Sequence, residues 1–302
     1  MEKIKVITDS NSGMTEEEAL NAGIKVLPMP FLIDEKTYYE NITLTQKEFY
    51  EKLQADTDIS TSQPTIPDVK KCWDEELENY DSIVYIPMSS GLSGSLSTAK
   101  MLADDYDGRV QVVDNQRISV TQFQSALDAV ELANEGYSAK EIKDILEEVK
   151  FDSSIYIKLE TLKYLKKGGR ITPAAAAIGS ALKLKPVLQI QGEKLDAFTI
   201  ARTGKQAEIK MLKAMEHDIE TRFGGMDNIE NIHIEVAHTA NEEAAEYFKQ
   251  EIMEKFGVKD VLVSPLSLSI ACHIGPGALA IACSVDIHES IRKHGLVPAN
   301  VS

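Results

Sequence analysis

The sequence predicts an α/β protein built as two domains, and three observations carry that expectation. Through the first half, short apolar runs alternate with helical patterns of about 10 to 20 residues, the signature of βαβ units around a parallel, three-layer sheet. Near residue 152 the pattern changes to a strand, a glycine pair, an alanine-rich helix and a hairpin signal, so the chain divides into residues 1–152 and 153–302. Its 302 residues, 43% of them hydrophobic, suffice for two packed cores, because a domain of about 150 residues buries most of its apolar surface.

Residues 4–8 and 24–27 read as strands. Between them Thr15 and Glu18 have the spacing of a capping box, in which a hydroxyl and a carboxylate satisfy free amides at a helix start. Thr45 and Glu48 repeat it ahead of Phe49, Tyr50 and Leu53. Cys72 and Trp73 fall on a helical pattern and read as packing residues. An apolar strand at 83–87 leads through a serine- and glycine-rich turn into a helix over 95–105. A strand at 110–113 precedes a helix from about 116 to 134, and Ser138 with Glu141 caps a further helix ending near 150.

In the second half, residues 155–157 read as a strand, followed by Gly168-Gly169 and a helix opening at Thr172-Pro173, where the missing proline N–H does no harm. Residues 187–190 and 197–200 read as a hairpin turning at Gly192. A helix over 205–223, a strand at 232–237, a helix over 242–256 and a strand at 261–265 complete the pattern. No repeat or Gly/Ser linker separates the halves, which places the expected ligand site in a cleft between them.

The formal charge is −16, which argues against nucleic acid as a partner, since that binding rests on basic stripes that neutralise phosphates. Acidic runs such as Glu16-Glu17-Glu18 and Asp74-Glu75-Glu76 read as solvated helix surfaces. Any anionic ligand needs a local pocket of donors. The three cysteines have no CxxC spacing and read as reduced thiols. No apolar run reaches the ~18 residues of a membrane span, and the opening residues go directly into a strand pattern. A cytoplasmic protein is the expectation.

The chain lacks GxxxxGK[ST], a GxGxxG after a strand, HExxH and GxSxG. The six histidines have no ligand spacing, so no metal site is expected. What remains is a set of hydroxyl- and glycine-rich turns at the carboxyl ends of expected strands, where open α/β sheets bind ligands. These are Thr8-Asp9-Ser10, Ser60-Thr61-Ser62-Gln63-Pro64 and Ser89-Ser90-Gly91-Leu92-Ser93-Gly94. The last opens a helix, so its amides and hydroxyls can aim at one anion. Each alone is more often an ordinary cap or turn. His273-Ile274-Gly275-Pro276-Gly277 reads either as a close backbone approach or as a plain turn with a surface histidine.

Taken in order over residues 3–285, these segments resemble the DegV family. Thr8-Asp9-Ser10 matches its TDS, Thr61-Ser62-Gln63-Pro64 its TSQP and Ser90-Gly91-Leu92-Ser93-Gly94 its SxLSG. The block from Leu162 through Lys166-Lys167-Gly168-Gly169-Arg170-Ile171, then Leu184-Lys185-Pro186-Val187-Leu188, then His273-Ile274-Gly275-Pro276-Gly277 complete the set. The resemblance implies a Rossmann-like domain with a three-layer parallel sheet, a two-layer α/β domain with a mixed sheet, and a fatty acid in a tunnel between them. The protein would be a carrier, not an enzyme, with no cofactor beyond a bound fatty acid such as palmitate.

By the same resemblance Thr61 and Ser93 hold the ligand carboxylate, with Ser62, Gly94 and His273 as neighbours. A separate ATP-dependent fatty acid kinase subunit phosphorylates that carboxylate, and the acyl phosphate feeds phospholipid synthesis. Arg202 matches a kinase-contact arginine. One departure stands out: Asp114 and Ser119 keep the family's DSxxxSxGxG segment, but Thr121 and Phe123 replace its two glycines. Phe123 would narrow the acyl tunnel if it lines it, or pack in the first domain's core if it does not. The alternative is an enzyme, or the substrate-binding subunit of a kinase, acting on a small acidic or phosphorylated substrate with His273 as covalent ligand or base.

Overall fold

The computed structural model describes residues 2–55, 57–177, 184–192 and 194–296. Its elements begin with β1 (Ile4–Asp9), α1 (Glu16–Ala22), β2 (Lys25–Leu27), β3 (Pro30–Ile33), β4 (Lys36–Tyr39), α2 (Gln46–Gln54) and β5 (Ile59–Thr61). Next come α3 (Ile66–Leu77), β6 (Ser82–Ile86), α4 (Ser95–Ala103), β7 (Val110–Val112), α5 (Val120–Glu135) and α6 (Ala139–Glu148). Then follow β8 (Ser153–Lys158), α7 (Lys163–Gly168), α8 (Pro173–Ala177), β9 (Lys185–Ile190), β10 (Asp196–Ala201) and α9 (Gly204–Arg222). Last are β11 (Ile232–His238), α10 (Glu242–Phe256), β12 (Leu262–Pro265), α11 (Leu268–Ile274), β13 (Leu279–Val285) and α12 (Ile287–His294).

The chain groups into two compact units, one of Met1–Pro30, Ser62–Lys150 and Ile287–Ser302, the other of Phe31–Thr61 and Phe151–Asp286. One crossing lies close to the expected boundary at 152. Residues 31–61, however, sit in the second unit, and α12 in the first. The reason is apolar packing. Phe31, Ile33, Phe49, Leu53 and Ile59 bury their side chains with Leu268, Ala271 and Cys272 of α11.

In the first unit the strand order is β2-β1-β6-β7, all parallel. Side chains alternate across it. Ile7, Ile83 and Tyr85 face Val69 and Trp73 of α3 and Leu96 and Ala99 of α4, while α5 and α6 pack against β1 and β6 from the other side. The result is the expected three layers. Trp73 lies edge-on to Tyr85 and Tyr106, with centroids 5.7 and 5.3 Å away. The connections leaving β1 and β6 run to opposite sides, so the carboxyl ends of these two strands form a topological switch point.

In the second unit the main sheet runs β10-β9-β8-β13-β11-β12. Only β11 and β12 pair in parallel; the other neighbours are antiparallel. Met211, Met215 and Ile219 of α9 and Phe248 and Ile252 of α10 cover one face, against Tyr156, Val187, Ile234 and Ile281. A small sheet, β4-β3-β5, completes the described strands of this unit. The whole is thus α/β, with a parallel sheet in one unit and a mixed sheet in the other.

Thr15, Thr45 and Ser138 each form the capping box their spacing predicts. Two points differ from the sequence reading. The helix placed from 116 begins at Val120, because Gln116 and Ser119 have φ of 55° and 59°, outside the right-handed helical region. Strand β13 and the elements β3, β4, β5, α7, α11 and α12 were not foreseen. The alanine-rich helix is described to Ala177; residues 178–183 lie outside the described residues. Among the described residues no helix is long and apolar enough to cross a membrane.

Candidate functional site

Strand β5 ends at Thr61, and the last turn of α11 carries His273. Their side chains meet, with Thr61 Oγ1 2.8 Å from His273 Nε2. Thr61 is held by antiparallel pairing of β5 with β3, which sets Phe31 opposite it. The helix bearing His273 starts at Ser267, whose hydroxyl accepts from the Ile270 amide. From the third side comes Gly168 of α7. A Cβ there would lie 2.3 Å from His273 Nδ1, closer than any carbon can come, so only glycine fits. Gly275, with φ of +77°, faces Tyr164 in the same way, and its Cβ would fall 2.4 Å from the ring. The glycines of two distant motifs thus let α7 and α11 touch.

Burial first, and the Arg170 guanidinium second, push the His273 imidazole from 6.5 down to about 4. At neutral pH the ring therefore carries one N–H and one lone pair. The bond runs in either direction with the tautomer: a ring protonated at Nε2 donates to Thr61 Oγ1 and frees the hydroxyl hydrogen for an outside acceptor, whereas one protonated at Nδ1 accepts it. Arg170 donates to the Gly168 carbonyl, so it braces the loop that seats the ring. Its block was legible in the sequence; this role was not. The neighbouring Cys272 thiol is pushed up to about 12 by burial, which leaves it inert as a nucleophile.

Ser62, Ser93 and Gly94 belong to the first unit. Ser62 is exposed, and its amide donates to the Pro30 carbonyl at 3.1 Å. The next residue, Gln63, exchanges hydrogen bonds with the Thr98 hydroxyl of α4. A Cβ on Gly94 would lie 3.4 Å from Gln63 Oε1, so Gln63 rests against the start of α4. Ser93 Oγ accepts from the Ser95 amide at 3.2 Å, leaving its own hydrogen to donate. Gly94 caps α4 without a side-chain bond.

Thr8-Asp9-Ser10 proves to be internal wiring. Asp9 is fully buried and accepts from the amides of Asn11 at 2.9 Å and Met88 at 2.8 Å and from Gln122 Nε2 at 3.2 Å. Burial raises its carboxyl pKa against those donors. The Thr8 hydroxyl donates to the Ile86 carbonyl, and that of Ser10 accepts from the Met29 amide. Together they fix the loops leaving β1 and β6, including the one that carries Ser93.

Arg202 is exposed just after β10, and its amide donates to Gln206 Oε1 at 2.7 Å. Thr121 and Phe123 are both buried in the first turns of α5, and the Thr121 hydroxyl turns back to the Ile118 carbonyl. Among the described residues the one group of metal-ligating type is Glu131, Glu135 and His288. It ties α12 to α5, with His288 Nε2 3.1 and 3.2 Å from the two carboxylates.

Fold and site together describe a two-unit α/β protein whose second unit brings the hydroxyl of Thr61 to the imidazole of His273. The family model described as an uncharacterised protein of the DegV family matches residues 3–286. The chain belongs to the DegV family. It is 32% identical over 284 residues to Protein DegV of Bacillus subtilis (strain 168), covering 92% of this chain and 98% of that protein. A solved DegV family protein from Thermus thermophilus, described for its fatty acid binding, superposes with a TM-score of 0.85 at 30% identity, covering 94% of this chain and 99% of that one. The crystal structure of Bacillus subtilis DegV, described as a fatty acid binding protein, gives 0.83 at 30% identity, with 95% and 100% covered.

Proposed function

We propose that this chain binds a long-chain fatty acid without chemistry of its own and presents the carboxylate to a separate ATP-dependent kinase subunit. The observation that carries this reading is the Thr61–His273 pair, a threonine hydroxyl 2.8 Å from a ring that burial keeps neutral. Similarity to two DegV proteins described as binding fatty acid, each 30% identical, supports it. Thr61 and Ser93 are the carboxylate donors in this reading, with Ser62, Gly94 and His273 beside them.

The physics suits a carrier. Burying ~15 methylenes at ~0.8 kcal/mol each yields on the order of 12 kcal/mol before binding costs. A carboxylate drawn in with them is costly unless several donors meet it. Hydroxyls do so without a fixed positive charge, leaving the oxygens open to an external phosphoryl donor. ATP and magnesium come with the kinase, for which Arg202 is the contact residue, and the acyl phosphate product feeds phospholipid synthesis. A base role for His273 fits poorly, because a group titrating at about 4 is a weak base at neutral pH.

Native mass spectrometry of the purified protein tests the reading: a co-purified fatty-acid mass is expected, and an empty protein that takes up no added palmitate rejects it. Thr61→Ala and Ser93→Ala are each expected to fold and to lose about 1.5 to 3 kcal/mol of binding, roughly 10- to 150-fold in affinity. Fluorescent fatty-acid displacement at wild-type affinity in both variants places the head group elsewhere.

A further inference from the structure

His273 occupies one end of α11; Glu40 holds the other. Glu40 follows β4 and reaches the first residue of the helix, its Oε2 accepting from the Leu268 amide at 2.8 Å. Its Oε1 accepts from Gln46 Nε2 at 3.4 Å, which ties it to the start of α2. Residues 31–61 therefore grip the seven-residue α11 at both ends, with Glu40 at Leu268 and Thr61 at His273. Between the grips, Phe31, Phe49 and Leu53 pack on Leu268 and Ala271.

Apolar packing is not directional, so these contacts alone leave a helix about 10 Å long free to shift or turn slightly. A hydrogen bond is less tolerant and weakens over a few tenths of an ångström. Polar bonds flank the helix, from the Leu266 amide to the His238 carbonyl and from the Thr239 hydroxyl to the Gly275 carbonyl, and the bond from Glu40 adds a hold on the first residue of α11 itself. Leu268 is fully buried, and its amide is one of the helix-start donors that have no partner within the helix. The carboxylate is itself desolvated. Burial raises the Glu40 pKa, while the Leu268 amide and Gln46 pull it back, and burial followed by the Glu40 charge pushes the Tyr50 phenol up. Breaking this contact strands a buried donor and a buried acceptor together.

We infer that Glu40 is a positioning residue: by holding the Leu268 amide it sets the place of α11 and, through it, the hydrogen bond between His273 and Thr61. Its consequence for ligand affinity rests on the proposed carboxylate site; its effect on His273 does not.

The test uses the full chain labelled with ¹⁵N-histidine, as wild type, Glu40→Ala, Glu40→Gln and Glu40→Asp. The glutamine keeps an oxygen at the same reach, whereas the aspartate falls about one methylene short. In Glu40→Ala and Glu40→Asp the His273 ring resonances are expected to move and their titration midpoint to rise from about 4 by roughly one pH unit, as the ring leaves its buried seat. Affinity for a fluorescent fatty acid falls about 5- to 10-fold in the same variants, while Glu40→Gln stays within about 2-fold of wild type. Ile252→Ala, in the other core of the same unit, is the control: it lowers the melting temperature and leaves the His273 resonances in place.

His273 titrating as in wild type in Glu40→Ala overturns the inference. So does a shift in Glu40→Gln as large as that in Glu40→Asp. If the alanine variant fails to fold, the glutamine and aspartate pair decides the matter. Should the wild type bind no fatty acid, the proposed function fails while the His273 titration still judges Glu40.

Discussion

The hydrogen that Gly168 carries in place of a side chain is what allows His273 to reach Thr61. Gly168→Ala puts a carbon where Nδ1 already sits at 2.3 Å, so the ring must swing away from the hydroxyl. Fatty-acid affinity is expected to fall at least about 10-fold, close to the loss in Thr61→Ala; wild-type affinity in a displacement assay refutes the geometry. The same seat makes stability pH-dependent in a defined window. Because His273 titrates at about 4 in the fold and 6.5 outside it, the unfolded chain takes up the proton first as pH falls. Its contribution is complete above pH 6.5 and is lost between 6.5 and about 4. Urea unfolding of wild type and His273→Gln is expected to show a difference that is constant above pH 7 and shrinks through that window. Parallel curves mean that the ring titrates alike in the folded and the unfolded chain. Thr61, Ser93 and His273 could all be picked out as motif residues. The bond between Thr61 and His273 could not, since nothing local links a strand end to a helix end so far along the chain.

Among the elements, those governed by neighbours three or four residues apart were legible. Ser138 and Glu141 satisfy each other's amides within one turn, so their spacing alone announces the start of α6. Ser138→Ala is expected to cost about 1 kcal/mol, a fall of about 2 to 4 °C in melting temperature for a domain of this size, and no change in ligand affinity. Strand β13 was missed although it is buried at all seven residues, as β6 is at all five, and β6 was legible as an apolar run. The start of α5 was misplaced because Gln116 and Ser119 take positive φ angles, which neither residue type announces in a sequence. Phe123, in the first turns of that helix, is 9% exposed and is expected to be a core residue. Phe123→Gly should lower the melting temperature by several degrees and leave the chain-length profile of bound fatty acids unchanged. A profile shifted to longer saturated chains shows instead that the ring faces the ligand.

At the level of the whole chain, the segment 31–61 is the unexpected feature. Its ends are pinned side by side by the bond from the Ser62 amide to the Pro30 carbonyl, and its body folds with residues 151–286. Phe49 is fully buried there, edge-on to Phe31 at 5.6 Å and Tyr50 at 5.4 Å. Phe49→Ala is expected to cost about 3 to 5 kcal/mol. In hydrogen exchange the amides of β5 and α11 should lose protection together while those of β1 and β6 keep theirs. Loss spreading to β1 and β6 but sparing α11 assigns the segment to the other unit.

Composition, capping signals and six ordered motifs were enough to give the α/β class, the parallel arrangement of the first sheet, the family and the residues worth testing. Each of these is encoded within a few positions, or in a pattern that survives averaging along the chain. The side on which 31–61 packs, the burial that neutralises His273, the glycine seam between α7 and α11 and the reach of Glu40 to Leu268 were not encoded that way. Each depends on which distant surfaces exclude water from one another, and desolvation is a property of the packed molecule.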